Sequence, residues 1–157
     1  MKILCLSDLH LRMNDVLDAI HHKRLTPFLQ SIRDLAEDTK PDVAVVTGDI
    51  VPPPFVSSLN ALFGSLFPSE LPVVATLGNH EFDYGFEALK KNMENAQFPV
   101  LAANVKYNGE LAFDDAAVFT TPGGTKIGVF GLDTPETATK AHPGKIQGVT
   151  FAGGEEL

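Results

Sequence analysis

The sequence lacks the features that mark several common protein classes. Its single cysteine, Cys5, cannot form an internal disulfide. It has 12 basic against 20 acidic residues and a net charge of −8, which argues against a general nucleic-acid surface, because neutralising phosphates requires clustered Lys and Arg. No apolar run is long enough to cross a bilayer. It has no phosphate-binding loop of the P-loop form, no nucleophile elbow and no paired cysteines for structural zinc.

What the sequence does contain is typical of one globular domain. Its 157 residues are 44% hydrophobic and 20% charged, which is enough to form a core. Cys5 lies in the first apolar run, where we expect a small buried core residue. After Met1, only one lysine and four apolar residues precede Ser7-Asp8. This does not fit a signal peptide, so the chain as written is expected to be cytoplasmic.

Strand-like and helix-like segments alternate along the chain. Thr26 and Pro27 suit the N-cap and first position of a helix. A β-α-β-α-β-α-β order followed by a β-hairpin indicates an α/β fold with parallel strands and right-handed crossovers. Residues 52–54 predict a rigid loop, and residues 151–157 predict the first turn of a helix. The predicted strands are 2–7, 43–47, 73–77 and 99–103, the helices are 25–37, 57–67 and 86–95, and the hairpin strands are 116–121 and 126–132.

Three short polar motifs each follow a predicted strand. Asp8 and His10 follow the first strand, Gly48-Asp49 the second, and Asn79-His80 the third. Carboxylate, amide and imidazole ligands together suit divalent or trivalent first-row metals, and parallel strand ends converge on one rim. Each residue also has a plain structural interpretation, as a turn or cap residue, a strand end or a surface histidine.

In this order, D-x-H, G-D and G-N-H-E resemble the motifs of calcineurin-like metallophosphoesterases. The string GNHEFDYG at 78–85, with FPVLAANV and GLDTPET after it, is similar to the 5′-nucleotidase branch. Residues 1–77 lack the Gly that commonly follows D-x-H in that branch and resemble the wider family, which leaves both divergence and a mosaic origin open. The resemblance implies the N-terminal portion of an α/β/β/α sandwich, with residues 1–157 forming a single, incomplete catalytic domain.

The resemblance also implies a role for each site residue. Two metal ions, drawn from Mn, Zn, Fe, Co or Ni, would share a dinuclear site. Asp8 and His10 would bind one ion, Asp49 would bridge the two, and Asn79 would offer a neutral oxygen to the second. His80 would act near the leaving-group oxygen rather than bind metal.

Further residues have supporting roles in this interpretation. Asp83 would hold the His80 ring and favour its protonated state. Glu81 is expected to play a structural part behind the site, and Asn104 and Asp133 are secondary candidates for the same face. His142, the only histidine after His80, does not match the family's later Gly-His motifs.

Two functions of different classes follow. The first is a metal-dependent phosphoesterase that hydrolyses phosphomonoesters such as nucleotides, with a phosphodiesterase as the nearest variant. The second is a non-catalytic fragment or fold module with a partial metal-binding face, because the downstream histidine ligands are missing, so enzyme activity stays open. A homo-oligomer formed through an exposed sheet edge would be one way to complete the site. The resemblance also leaves export open, through a signal peptide removed from this sequence.

Overall fold

A four-stranded parallel sheet forms the centre of the computed structural model, which describes residues 1–50 and 58–153. The strands occur in the order β1-β2-β3-β4, so each strand pairs with the next one along the chain. The parallel pairing and the predicted α/β class are confirmed. The strands of this sheet are β1 (Ile3–Ser7), β2 (Val43–Thr47), β3 (Val73–Thr76) and β4 (Val100–Leu101).

Helices connect these strands, and one of them was not predicted. Two helices rather than one lie between β1 and β2. The second begins as expected, since the Thr26 hydroxyl accepts a hydrogen bond from the Leu29 amide at 3.3 Å and Pro27 takes the first helical position. The first buries Val16 and Ala19 at a helical spacing of three. The connecting helices are α1 (Met13–His21), α2 (Pro27–Thr39), α3 (Leu59–Leu66) and α4 (Phe86–Met93). A further short helix, α5 (Thr137–Lys140), lies later in the chain and was also not predicted.

The two faces of the sheet are covered by different layers. On one face, Leu4, Ala44 and Ala75 pack with buried residues of helices α1 to α4 in the main core. On the other, Val43 and Val74 pack with Ile127 of a β-hairpin in a second, smaller cluster. The predicted hairpin is confirmed, and its strands are β7 (Ala116–Thr120) and β8 (Lys126–Phe130).

The prediction of a buried first strand with a buried Cys5 is wrong. Side chains of β1 alternate, so that Leu4 is buried while Ile3 and Cys5 are exposed. Ile3 and Cys5 pair with Val43 and Val45 and share their face of the sheet. The hairpin packs over the β2 and β3 side of that face, and β1 lies at the edge of the parallel sheet, so these two side chains remain open to solvent.

A small antiparallel sheet near the C-terminal end was also not predicted. It has the order β6-β5-β9 and is formed by β5 (Val105–Tyr107), β6 (Glu110–Leu111) and β9 (Val149–Phe151). Phe151 therefore ends a strand, where the sequence indicated a helix start. The rest of that predicted turn, at 154–157, and the predicted loop at 52–54 lie outside the described residues. Among the described helices, none is both long and apolar enough to cross a membrane.

Candidate functional site

Three loops meet at the carboxyl edge of the parallel sheet, one after each of β1, β2 and β3. Hydrogen bonds between their backbones continue the pairing of the strands. The His10 amide donates to the Asp49 carbonyl at 2.8 Å, and the Gly48 amide donates to the Thr76 carbonyl at 3.1 Å. The predicted convergence of the three motifs on one rim follows from this parallel pairing.

Asp8, His10 and Asp49 come together at this rim. Each offers one ligand atom, and these atoms all lie within 4.8 Å of one another. Asp8 and His10 are exposed and Asp49 is half-buried. A cluster of two carboxylates and an imidazole, partly open to solvent, suits a first-row metal ion by its donor chemistry.

The same three residues share an uncommon backbone conformation. Their φ angles are +49° at Asp8, +41° at His10 and +50° at Asp49. Residues other than glycine rarely adopt positive φ, which costs on the order of 1 kcal/mol or more at each position. Such strain persists where the surrounding structure imposes it, and its concentration at three clustered ligands is typical of a functional site.

Two glycines allow the second and third loops to approach closely. A Cβ atom at Gly78 would lie 2.5 Å from Asp49 Oδ1, and a Cβ at Gly48 would lie 2.7 Å from the Gly78 amide nitrogen. Neither position has room for a side chain. The glycines of the G-D and G-N-H-E motifs are therefore required for packing between the loops.

Asn79 and His80 begin a short 3₁₀ turn, Asn79–Phe82, directly after Gly78. The His80 amide donates to Asp49 Oδ1 at 2.9 Å. The rings of His10 and His80 meet edge to face, with 5.5 Å between their centroids. His80 is thus brought to the predicted cluster, and Asn79 directly precedes it in the chain.

His80 and Asp83 form the expected pair. Nδ1 of His80 lies 2.9 Å from Asp83 Oδ2, and both side chains are about half exposed. The hydrogen bond to Asp83 raises the pKa of His80 above its ordinary value, the nearby negative charge of Asp49 adds to this, and partial burial opposes it. The pair therefore favours the protonated form of His80, with Nδ1–H directed at Asp83 and Nε2 as the ring nitrogen that does not take part in this contact.

Glu81 is buried beneath the site, where a structural role was predicted. Its side chain is 2% exposed and accepts hydrogen bonds from backbone amides of both the second and third loops. Burial raises the pKa of Glu81, while the three amide donors lower it.

Asn104 and Asp133, the secondary candidates, are both buried behind the rim. The Asn104 amide group donates to the Asp133 carbonyl at 2.7 Å and its Oδ1 accepts from the Asp133 amide at 2.8 Å. Asp133 Oδ1 accepts from the Thr137 hydroxyl at 2.8 Å, whereas Oδ2 is buried and forms no hydrogen bond with the residues that the structure describes. Burial raises the pKa of Asp133 to about 7, with smaller contributions from the charges of Glu81 and Asp49.

The remaining histidines have other surroundings. Nδ1 of His142 accepts a hydrogen bond from the Gly144 amide at 3.1 Å and caps the short turn Pro143–Lys145. His21 and His22 are exposed at the end of α1, and Nδ1 of His22 lies 3.0 Å from Asp18 Oδ1. They lie between α1, which was not predicted, and the start of α2 at Pro27, so the expected helix start is close to them.

Comparisons with known proteins identify the family to which the chain belongs. A family model described as calcineurin-like phosphoesterase matches residues 1–147. A 5′-nucleotidase of Vibrio cholerae is 44% identical over 77 residues, which are 48% of this chain and 14% of that protein. A probable 5′-nucleotidase of Treponema pallidum is 31% identical over 130 residues, 74% of this chain and 21% of that protein.

Solved structures show the same fold. The crystal structure of a putative 5′-nucleotidase from Staphylococcus aureus superimposes with a TM-score of 0.70 at 24% identity, covering 97% of this chain and 32% of that chain. The chain thus spans a minor part of the length of each of these relatives. Because the family model covers nearly the whole sequence, the chain belongs to the calcineurin-like phosphoesterase family, and its relatives support the 5′-nucleotidase-like branch.

Proposed function

We propose that this chain contributes the metal-binding face of a phosphoesterase that hydrolyses phosphomonoesters such as nucleotides. The observation that carries the proposal is the convergence of ligand atoms from Asp8, His10 and Asp49 within 4.8 Å, each on left-handed backbone. The names of the relatives as 5′-nucleotidases support a nucleotide as the substrate class.

In this proposal the rim would hold two divalent or trivalent ions. Asp8 and His10 would be ligands of the first, Asn79 would offer its amide oxygen to the second, and Asp49 would contribute its carboxylate to both. Bound metal ions would supply Lewis-acid polarisation of the phosphate and an activated water. The hydrogen bond from the His80 amide fixes the orientation of the Asp49 carboxylate. The oxygen lone pairs of Asp49 that would bind metal are therefore oriented before any ion arrives.

His80 is proposed to act on the leaving group. Its Nδ1 is engaged by Asp83, so the proton available for transfer is on Nε2. The raised pKa of His80 increases the fraction of imidazolium near neutral pH, which suits a general acid for the leaving oxygen. Asp83 orients the ring and does not itself contact the substrate.

A second function, a non-catalytic module with a partial metal-binding face, is favoured by one observation. Within residues 1–50 and 58–153, the clustered group contains three members, and His142 caps a turn instead of joining them. A site with fewer ligands binds metal more weakly, since losing even one supporting contact commonly costs 10- to 100-fold in affinity. Association of two copies through the β1 edge stays a prediction, to be checked by light scattering.

The test combines metal content with hydrolysis. The wild-type chain, Asp49→Asn and the control Asp18→Asn would be dialysed against Mn²⁺, analysed for bound metal, and assayed with p-nitrophenyl phosphate and bis-p-nitrophenyl phosphate. Asp18 is a fitting control because it is also an exposed carboxylate paired with a histidine, but on α1. The phosphomonoesterase proposal expects about two metals per chain and monoester hydrolysis, both lost only in Asp49→Asn. Metal binding without hydrolysis supports the module, and absence of both contradicts the two proposals.

A further inference from the structure

The buried carboxylate of Glu81 joins two of the three loops. Oε2 accepts from the Asp49 amide and from the Gly78 amide, each at 2.8 Å, and Oε1 accepts from the Ile50 amide at 2.9 Å. Asp49 and Ile50 follow β2, whereas Gly78 follows β3, so one side chain ties together loops that are about 30 residues apart in the sequence.

Burying the Glu81 carboxylate costs free energy that other interactions must offset. Burying a carboxylate carries a large desolvation penalty. Among the described residues, no Lys, Arg or His forms a salt bridge with Glu81. Its hydrogen bonds in the structure come from the three backbone amides, and these are charge-assisted and therefore stronger than neutral ones. The negative charge is thus used to organise backbone.

Glu81 binds the stretch of backbone around Asp49, which has a strained conformation. Asp49 has a φ of +50° and follows Gly48 at +35°. Glu81 accepts from the amide of Asp49 and from the amide of the next residue, Ile50, and so holds the left-handed turn from both sides of the Asp49 Cα. The His80 amide holds the Asp49 side chain separately. Backbone and side chain of this ligand therefore have independent anchors.

We infer that Glu81 is a positioning residue that fixes Asp49 in its ligand conformation through these three amides, without touching metal or substrate. This inference rests on the proposed function for its consequence, namely metal affinity. Its structural part, the selective ordering of the turn after β2, stands without any metal.

The first arm of the test measures amide hydrogen exchange by NMR in the metal-free chain. Glu81→Gln keeps the size of the side chain but removes the charge and one accepting oxygen. We expect the amides of Asp49, Ile50 and Gly78 to exchange at least about 10-fold faster in this variant. The strand amides of Ala44 and Ala75, which donate to Pro72 and Pro99 in the sheet, should stay within about twofold of wild type.

Asp133→Asn is the matched control, since Asp133 is an equally buried carboxylate whose side-chain oxygen bonds the Thr137 hydroxyl rather than these amides. It should leave the exchange of the three amides of the first arm unchanged relative to that of the strand amides of Ala44 and Ala75. Equal acceleration across the whole sheet in Glu81→Gln, or unchanged exchange at all three amides, would overturn the inference. If Glu81→Gln does not fold, Glu81→Asp keeps the charge, shortens the reach by one methylene, and is judged by the same criterion.

The second arm measures Mn²⁺ affinity by calorimetry. We expect Glu81→Gln to weaken binding about 10- to 100-fold, as is common when a residue behind a ligand is lost. Affinity within twofold of wild type would overturn the positioning role. If wild type binds no Mn²⁺, the proposed function fails, while the exchange arm still decides whether Glu81 orders the Asp49 turn.

Discussion

Nδ1 of His80 lies 2.9 Å from Oδ2 of Asp83, three residues further along the chain. This single contact is the largest cause of the raised pKa of His80. It links the chemistry proposed for the site to a property that can be measured in the metal-free protein, namely the titration of one imidazole ring.

Asp83→Asn should lower the pKa of His80, because the variant loses the charged acceptor for Nδ1–H. A folded-state pKa raised above the unfolded value stabilises the protein fully below the unfolded pKa, and this stabilisation is lost as the pH rises through the folded pKa. Asp83→Asn should therefore destabilise the fold more at pH 5 than at pH 8.5. The measurements are an NMR titration of the His80 ring and chemical denaturation at both pH values.

Asp18→Asn is the control for this prediction, since Asp18 forms a similar exposed contact with His22 at 3.0 Å. It should leave the His80 titration unchanged. An identical His80 pKa in wild type and Asp83→Asn would show that the pair does not act as described.

Gly78→Ala should destabilise the fold by about 1–3 kcal/mol, as overpacking commonly does. The new Cβ would lie 2.5 Å from Asp49 Oδ1 and 2.8 Å from the Asp49 amide nitrogen. Gly64→Ala is the opposite case, because Gly64 lies within α3 and, among the described residues outside its own stretch of helix, no atom lies within 4 Å of its Cβ position. It should stabilise by about 0.5–1 kcal/mol. Urea denaturation measures the unfolding free energy of both variants. A change of the same sign in Gly78→Ala and Gly64→Ala would contradict the packing argument.

His10→Gly should stabilise the metal-free chain by about 1 kcal/mol while it weakens metal binding. The gain comes from relief of a positive φ of +41°, and the loss comes from removal of a ligand. Lys40→Gly is the control, because Lys40 also has a positive φ, +47°, but lies at the end of α2 and is not one of the three proposed ligands.

Both glycine variants should therefore have a higher melting temperature than wild type when no metal is present. Added Mn²⁺ should raise it further in wild type and in Lys40→Gly, since a ligand that binds only the folded state stabilises it. A full Mn²⁺ response in His10→Gly would exclude His10 as a ligand.

Asp133→Asn should remove a pH-dependent loss of stability in the metal-free chain. The folded-state pKa is raised from 3.8 to about 7, so the stabilisation present below about pH 4 is lost as the pH rises through 7. Each pH unit between the two pKa values is worth about 1.4 kcal/mol, so relative to wild type the variant should gain up to about 4 kcal/mol between pH 4 and pH 8. The measurement is chemical denaturation of wild type and Asp133→Asn at both pH values. An unfolding free energy that changes with pH by the same amount in the two proteins would contradict the prediction.

The sequence predicts the parallel sheet and the position of the site because both depend on local patterns. Each motif directly follows an apolar run, and parallel strands bring such ends to one edge. That is why Asp8, Asp49 and His80 could be placed together before any geometry was known. Thr26-Pro27 similarly marks the start of α2 through rules that involve only neighbouring residues.

Features that depend on distant contacts were not predictable in this way. The exposure of Cys5 is set by which part of the sheet the hairpin covers, and β5, β6 and β9 are only two or three residues long. The amide contacts of Glu81 join the loop after β2 to the loop after β3, and no local sequence pattern indicates that these two loops share a hydrogen-bond acceptor. The helix α1 is a different case, because the spacing of Val16 and Ala19 is itself a local helical signal, although α1 is not among the helices predicted above.

The open face of β1 gives this protein a built-in attachment point. Cys5 is the only thiol in the sequence, it is exposed, and it lies on the strand that leads directly into Asp8. A nitroxide attached there without any substitution would be broadened by a paramagnetic ion bound at the rim, in a manner that depends on separation. A label on Cys5 would therefore report the distance from the edge of the sheet to a metal ion bound at the rim.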